Sequence, residues 1–110
     1  MKGTNVGEFE ELVLLTVAAL VSEAYSVAVC DELTKHTGRE VKLGVVHAVL
    51  NRLEEKGLVL SKMGDATNVR GGKRKRYYAL TSPGKVAILR AKEVRDQLWS
   101  IIPDIAFKGL

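Results

Sequence analysis

Apolar positions along this 110-residue chain follow a helical period first, a strand period briefly, and a helical period again at the end. Gly7 to Val21 predicts a first helix: Glu8, Glu10 and Glu11 suit the positive end of its dipole, and no proline interrupts it. Within it, Leu12–Val21 is apolar nearly all round, broken only by Thr16. A helix on the surface of so small a domain should be amphipathic, so this one must be covered on two sides. One reading is a central core helix. The favoured one packs one side on its own domain and the other, through Leu12 and Leu15, on a second chain.

Ser26 suits the N-cap of a second helix, Val27 to Thr37, ending at Gly38, with Val29, Cys30 and Leu33 on its inner face. A third helix is expected from Leu43 to Lys56, stopped by Gly57. Leu43, Val46, Leu50 and Leu53 make its buried stripe, with Val49 beside it. Its opposite face carries Gly44, His47, Ala48, Asn51, Arg52 and Glu55, small and polar near the N-terminal end. The period then shortens. Leu58–Met63 reads as one strand, Lys75–Leu80 as its partner, and Gly64–Arg74 as the loop between them. Of Tyr77 and Tyr78, adjacent on a strand, one should face the core and the other outward. Thr81 should cap a last helix with Pro83 in its first turn, along which Ala87, Ala91, Val94, Leu98 and Ile101 form an a/d seam that Pro103 ends.

Charge changes the picture more than overall composition does. Net charge is +4, yet Lys35–Arg76 holds eleven Lys/Arg against four Asp/Glu, so the basic charge is concentrated in the middle of the chain. That is the footprint of a nucleic-acid surface, with an anionic membrane surface as its competitor. The single cysteine, Cys30, allows no intramolecular disulfide and reads as a small buried hydrophobe. The longest apolar run, Leu12–Val21, is too short to span a bilayer and follows acids rather than a positive leader region. A cytoplasmic protein with no membrane partner is expected. His36, His47 and Cys30 lack metal-ligand spacing, no nucleophile–base constellation occurs, and no Gly-rich loop follows a strand, so neither an enzyme nor a cofactor is expected.

The order helix, helix, helix, hairpin, helix is that of a winged helix-turn-helix, in which the third helix enters the major groove and the hairpin lies along the flanking backbone. The expected fold class is mainly α with a small β-hairpin (α+β), residues 1–81 forming the DNA-binding part and 82–110 a C-terminal dimerisation helix and tail. Candidate groove residues are Lys42, Gly44, Val45, His47, Ala48, Asn51 and Arg52; Asn suits adenine, and Arg suits guanine or phosphate. Arg52 has an alternative in an ion pair with Glu54 or Glu55. Arg70, Lys73, Arg74, Lys75 and Arg76 are candidate phosphate contacts, against the blander reading of a solvated charged loop; like charges this dense repel one another and are relieved against a polyanion. The proposed dimer interface is Leu12, Leu15, Ala87, Ala91, Val94, Leu98 and Ile101. Tyr25 reads as a packing residue.

Three stretches, "EFEELVLLTVAALVSEAYSVAVCDEL", "LGVVHAVLNRLEEKGLV" and "RGGKRKRYYALTSPG", together resemble the PadR-like family of bacterial transcriptional regulators over roughly residues 7–95. The resemblance implies a dimeric repressor on a pseudo-palindromic double-stranded operator, released in many members by a ligand. His47 stands where the family usually has tyrosine, so that tyrosine's roles do not transfer. Lys42 stands where a capping Ser or Asn is usual, and can reach a phosphate instead. Trp99, one position past Leu98, reads first as interface packing. The sharper alternative is a small aromatic effector held between subunits. The rival to an operator-binding regulator is a winged-helix module whose basic wing meets an acidic protein partner.

Overall fold

The structure, a computed structural model, describes residues 6–64 and 74–109. Helix α1 spans Glu8–Leu20, α2 Ser26–Thr37 and α3 Leu43–Glu55; strands β1 (Val59–Met63) and β2 (Arg76–Leu80) follow, then α4 (Ser82–Ser100). Single 3₁₀ turns occupy Val21–Glu23 and Asp104–Phe107. The strands pair antiparallel from Val59↔Leu80 to Met63↔Arg76. This is the helical body with a hairpin that the residue pattern predicts, each boundary within a residue or two.

The core gathers Val13, Leu14 and Val17 of α1, Val29, Cys30 and Leu33 of α2, and Val46, Val49, Leu50 and Leu53 of α3 under Leu58 and the hairpin residues Val59 and Tyr78. Tyr78 is the inward tyrosine, and Tyr77 is half-buried. Burial pushes the Tyr78 hydroxyl above its ordinary value of 10.0. Cys30 sits in this core as a hydrophobe, its Sγ donating to the Val41 carbonyl at 3.1 Å; desolvation raises its pKa as well.

Three expectations need correction. Leu43 is not part of the buried stripe: it opens α3, one turn beyond the part the core covers, and is 39% exposed. Ser26 is the first residue of α2 and not its cap. The residue before the helix is Tyr25, whose extended backbone bridges Tyr77 while Tyr78 N–H donates to the Ala24 carbonyl at 2.8 Å. A one-residue third strand thus shifts the helix start. Ala87 belongs to the chain's own core, 5% exposed, and leaves the apolar seam of α4 to begin further along.

The start of α4 is held tightly. Thr81 Oγ1 accepts from Gly84 N–H at 3.1 Å as an N-cap and donates to the Gly57 carbonyl at 2.6 Å, while Thr81 N–H donates to the Leu58 carbonyl at 3.1 Å. Gly84 packs so closely on Leu58 that a Cβ there would stand 2.0 Å from its carbonyl oxygen. Further along, Arg95 closes a two-pronged ion pair on Glu11 of α1, Nε at 3.2 Å and Nη2 at 2.8 Å, a second tie between α4 and the body.

Candidate nucleic-acid interface

The amphipathic wheel of α3 puts Val46, Val49, Leu50 and Leu53 inward, which leaves Gly44, Val45, His47, Ala48 and Asn51 on the exposed surface, with Lys42 at its N-cap position. Small side chains at Gly44 and Ala48 let another surface approach the helix closely. Apart from its chain neighbours and the backbone of its own helix, no described atom lies within 4 Å of where a Gly44 Cβ would stand.

The hairpin stands along one edge of that face. A groove of about 440 Å³ runs between them, lined by His47 and Asn51 of α3, Tyr25 and Ser26 at the start of α2, and Arg74, Lys75 and Arg76 of the wing. The wing cations are individually braced. Arg74 Nε donates to the Gly64 carbonyl at 2.8 Å, and Lys75 Nζ lies 4.2 Å from the centre of the Tyr25 ring, a cation–π contact. Arg76 Nη1 donates to Ser61 Oγ at 3.0 Å, which in turn donates to Glu54 of α3 at 2.7 Å. Tyr25 and Tyr77 meet edge to face, 5.6 Å between centroids. Bracing of this kind holds three cations beside a helix that carries polar groups. Arg70 and Lys73 lie outside the described residues.

Arg52 departs from its predicted surroundings. Neither Glu54 nor Glu55 holds it; its Nε donates at 3.0 Å to Glu10 of α1. Lys56 Nζ reaches both oxygens of the same carboxylate, at 2.9 and 3.0 Å, and Gly7 N–H donates to it at 2.9 Å. Burial pushes the Glu10 carboxyl up, but the Gly7 N–H, Lys56 and Arg52 outweigh it and hold the group below its ordinary value of 4.5. Glu10 escaped the sequence reading because three acids in a first turn look like dipole partners. Its spacing with Val13, Leu14 and Val17, all buried, is the signal that sets it apart from Glu8. Tyr25, whose sequence context suggests packing alone, is likewise part of the groove wall.

On the other side of the body, the outer surface of α1 and the length of α4 expose Leu15, Val94, Leu98 and Ile101, while Leu12 and Ala91 are half-buried. Trp99 is 65% exposed and stacks on Phe107 with centroids 6.3 Å apart. Leu15, Ile88, Leu89, Lys92, Arg95 and Trp99 border a second groove, of about 430 Å³. Among the described residues no cluster of His, Cys, Asp and Glu could hold a metal ion, and no helix is long and apolar enough to cross a membrane.

Residues 14–90 match the family model described as the transcriptional regulator PadR-like family. An uncharacterised protein of Lysinibacillus sphaericus is 29% identical over 106 residues, which is 94% of this chain and 92% of that one. Among solved structures, RosR of H. salinarum superposes with a TM-score of 0.75 at 27% identity, over 91% of this chain and 83% of that one. A PadR-like transcriptional regulator of Bacillus cereus gives 0.73 at 19% identity, over 93% of each chain. A PadR family regulator of Clostridium difficile gives 0.70 at 22%, over 86% of this chain and 94% of that one. The last two show the shared fold.

Proposed function

Since the chain belongs to the PadR-like family of transcriptional regulators, a family of regulators and not of enzymes, we propose that it binds double-stranded DNA through α3 and the wing. The observation that carries this reading is the groove in which Asn51 and His47 face Arg74, Lys75 and Arg76. It juxtaposes side chains suited to base edges with cations suited to phosphate. Gly44, Val45 and Ala48 allow the helix into the major groove, and Lys42 is placed at its N-terminal end to meet the backbone. Specificity comes from the helix; the wing supplies grip.

The working unit is a homodimer, with residues 1–81 as the reading head and 82–110 as the arm that joins two heads, the first turns of the arm being built into the head. The exposed apolar seam of Val94, Leu98 and Ile101, with Leu15 of α1 exposed beside it and Ala91 and Leu12 half-buried, supports this. Two recognition helices about 34 Å apart then read a pseudo-palindromic operator. The regulator acts as a repressor, and a small planar aromatic effector beside Trp99 releases it by favouring a dimer with a different head spacing. The groove bordered by Trp99, Leu15 and Leu89 supports that site.

Selection of duplexes from a random pool, followed by gel shifts at rising salt, tests the reading. Enrichment of a two-fold site whose affinity falls steeply with salt is expected. Absent or salt-insensitive binding refutes it. For the effector, titration of planar aromatic compounds should quench Trp99 fluorescence and release the selected duplex together; neither effect across a screen removes the effector from the proposal.

A further inference from the structure

We infer that Glu10 is a positioning residue for DNA recognition: from inside the body it orients Arg52 of α3 toward the phosphates on the side of the groove away from the wing. This rests on the DNA-binding reading above. Its grounds are geometric. Asn51 and His47 border the groove shared with the wing, and Glu54 is tied to the wing through Ser61. Arg52 lies on the other flank of α3, where it reaches α1. A duplex seated on α3 therefore meets the wing along one wall and Arg52 along the other.

A guanidinium carries five N–H donors. Glu10 takes the one on Nε, and among the described residues that is the only hydrogen bond the Arg52 side chain makes. The terminal nitrogens have no described partner on a side chain that is 54% exposed, while the Glu10 side chain is 10% exposed. A long side chain anchored at its middle loses less freedom on binding than a loose one, which is how preorganisation gains affinity.

The second cation settles the electrostatics. A lone carboxylate beside Arg52 would cancel the charge offered to a phosphate. Lys56 sits on both oxygens of Glu10 and balances it, so the three groups together keep one net positive charge. The Gly7 N–H fixes the carboxylate from a further direction. Glu10 thus holds Arg52 in place and its field stays positive outward.

The test is a double-mutant cycle on affinity for a duplex selected by the wild type, with a scrambled duplex alongside, using variants whose helical circular dichroism matches the wild type. Glu10→Gln should weaken binding to the selected duplex by about tenfold, within the range of one well-made Arg contact, and should have little further effect once Arg52→Gln is present. Arg52→Lys, which keeps the charge on an exposed site but cannot keep the fork geometry, should lose nearly as much as Arg52→Gln. Equal losses from Glu10→Gln in both Arg52 backgrounds would mean that Glu10 supports only the fold, and would overturn the inference. So would wild-type affinity in Arg52→Lys, or a uniform gain on both duplexes from Glu10→Gln. Should Glu10→Gln fail to fold, the Arg52→Lys comparison decides alone. If the wild type selects no duplex, the DNA-binding reading fails and the inference falls with it; if the wild type selects one and the cycle is additive, only the inference falls.

Discussion

Replacing Gly84 with alanine puts the way α4 is seated on the body to a quantitative test. A Cβ at this position would stand 2.0 Å from the Leu58 carbonyl oxygen, whereas ordinary contact begins at 3.4 Å. Something must therefore open by the difference, about 1.4 Å. Leu58 cannot yield freely, because its side chain is in the core at 1% exposure. Its carbonyl also accepts the Thr81 N–H at 3.1 Å, and a shift of this size takes that bond out of range. Overpacking costs about 1–3 kcal/mol and a buried carbonyl left without its donor about 1–3 kcal/mol, while alanine returns about 1 kcal/mol of helix propensity. A net loss of about 1–5 kcal/mol follows from these terms. In a domain of this size each kcal/mol moves Tm by about 4–8 °C. Gly44→Ala is the internal control, since beyond its chain neighbours and its own helix backbone nothing lies within 4 Å of its added Cβ; it should stabilise by up to about 1 kcal/mol. Urea unfolding followed by far-UV circular dichroism, at one protomer concentration for all three proteins, measures both. Opposite signs are expected. Gly84→Ala within about 0.5 kcal/mol of wild type, the range of ordinary surface substitutions, would refute the close seating of α4.

Lys75→Gln should weaken binding to selected and scrambled duplexes about equally and lower the log–log salt slope by about 0.9; a loss confined to the selected duplex, read by fluorescence anisotropy, would instead make it a base reader. Glu10, whose carboxyl is held below 4.5, contributes stability that is present above that pH and lost as pH falls through the lower folded value. Unfolding free energy measured against pH should therefore decline below about 4.5 in the wild type, and Glu10→Gln should flatten that limb; an unchanged limb would assign it to other carboxylates. Leu98→Glu, at a position 57% exposed in the single chain, should yield a folded monomer by light scattering, and a dimer of wild-type mass would move the interface elsewhere.

What local patterning determined here is which stretches are helix or strand, where most of them end, and where positive charge gathers. The stripe Val46, Val49, Leu50 and Leu53 can be read from its spacing because a helix imposes that spacing on any buried face. Thr81 can be read as a cap because its hydroxyl serves an amide only three residues away. Tertiary structure decided what those elements do to one another. Arg52 finds Glu10 across 42 residues rather than the glutamates beside it on α3, and Lys56 finds the same carboxylate across 46. Tyr25 becomes a strand residue and a rest for Lys75 because the returning hairpin lies against it. Ala87, spaced as a seam residue, is drawn into the core because Gly84 brings the first turns of α4 against Leu58. The physical reason is the same in each case: periodicity reports the face a side chain occupies, while its partner depends on how separate elements close over one core.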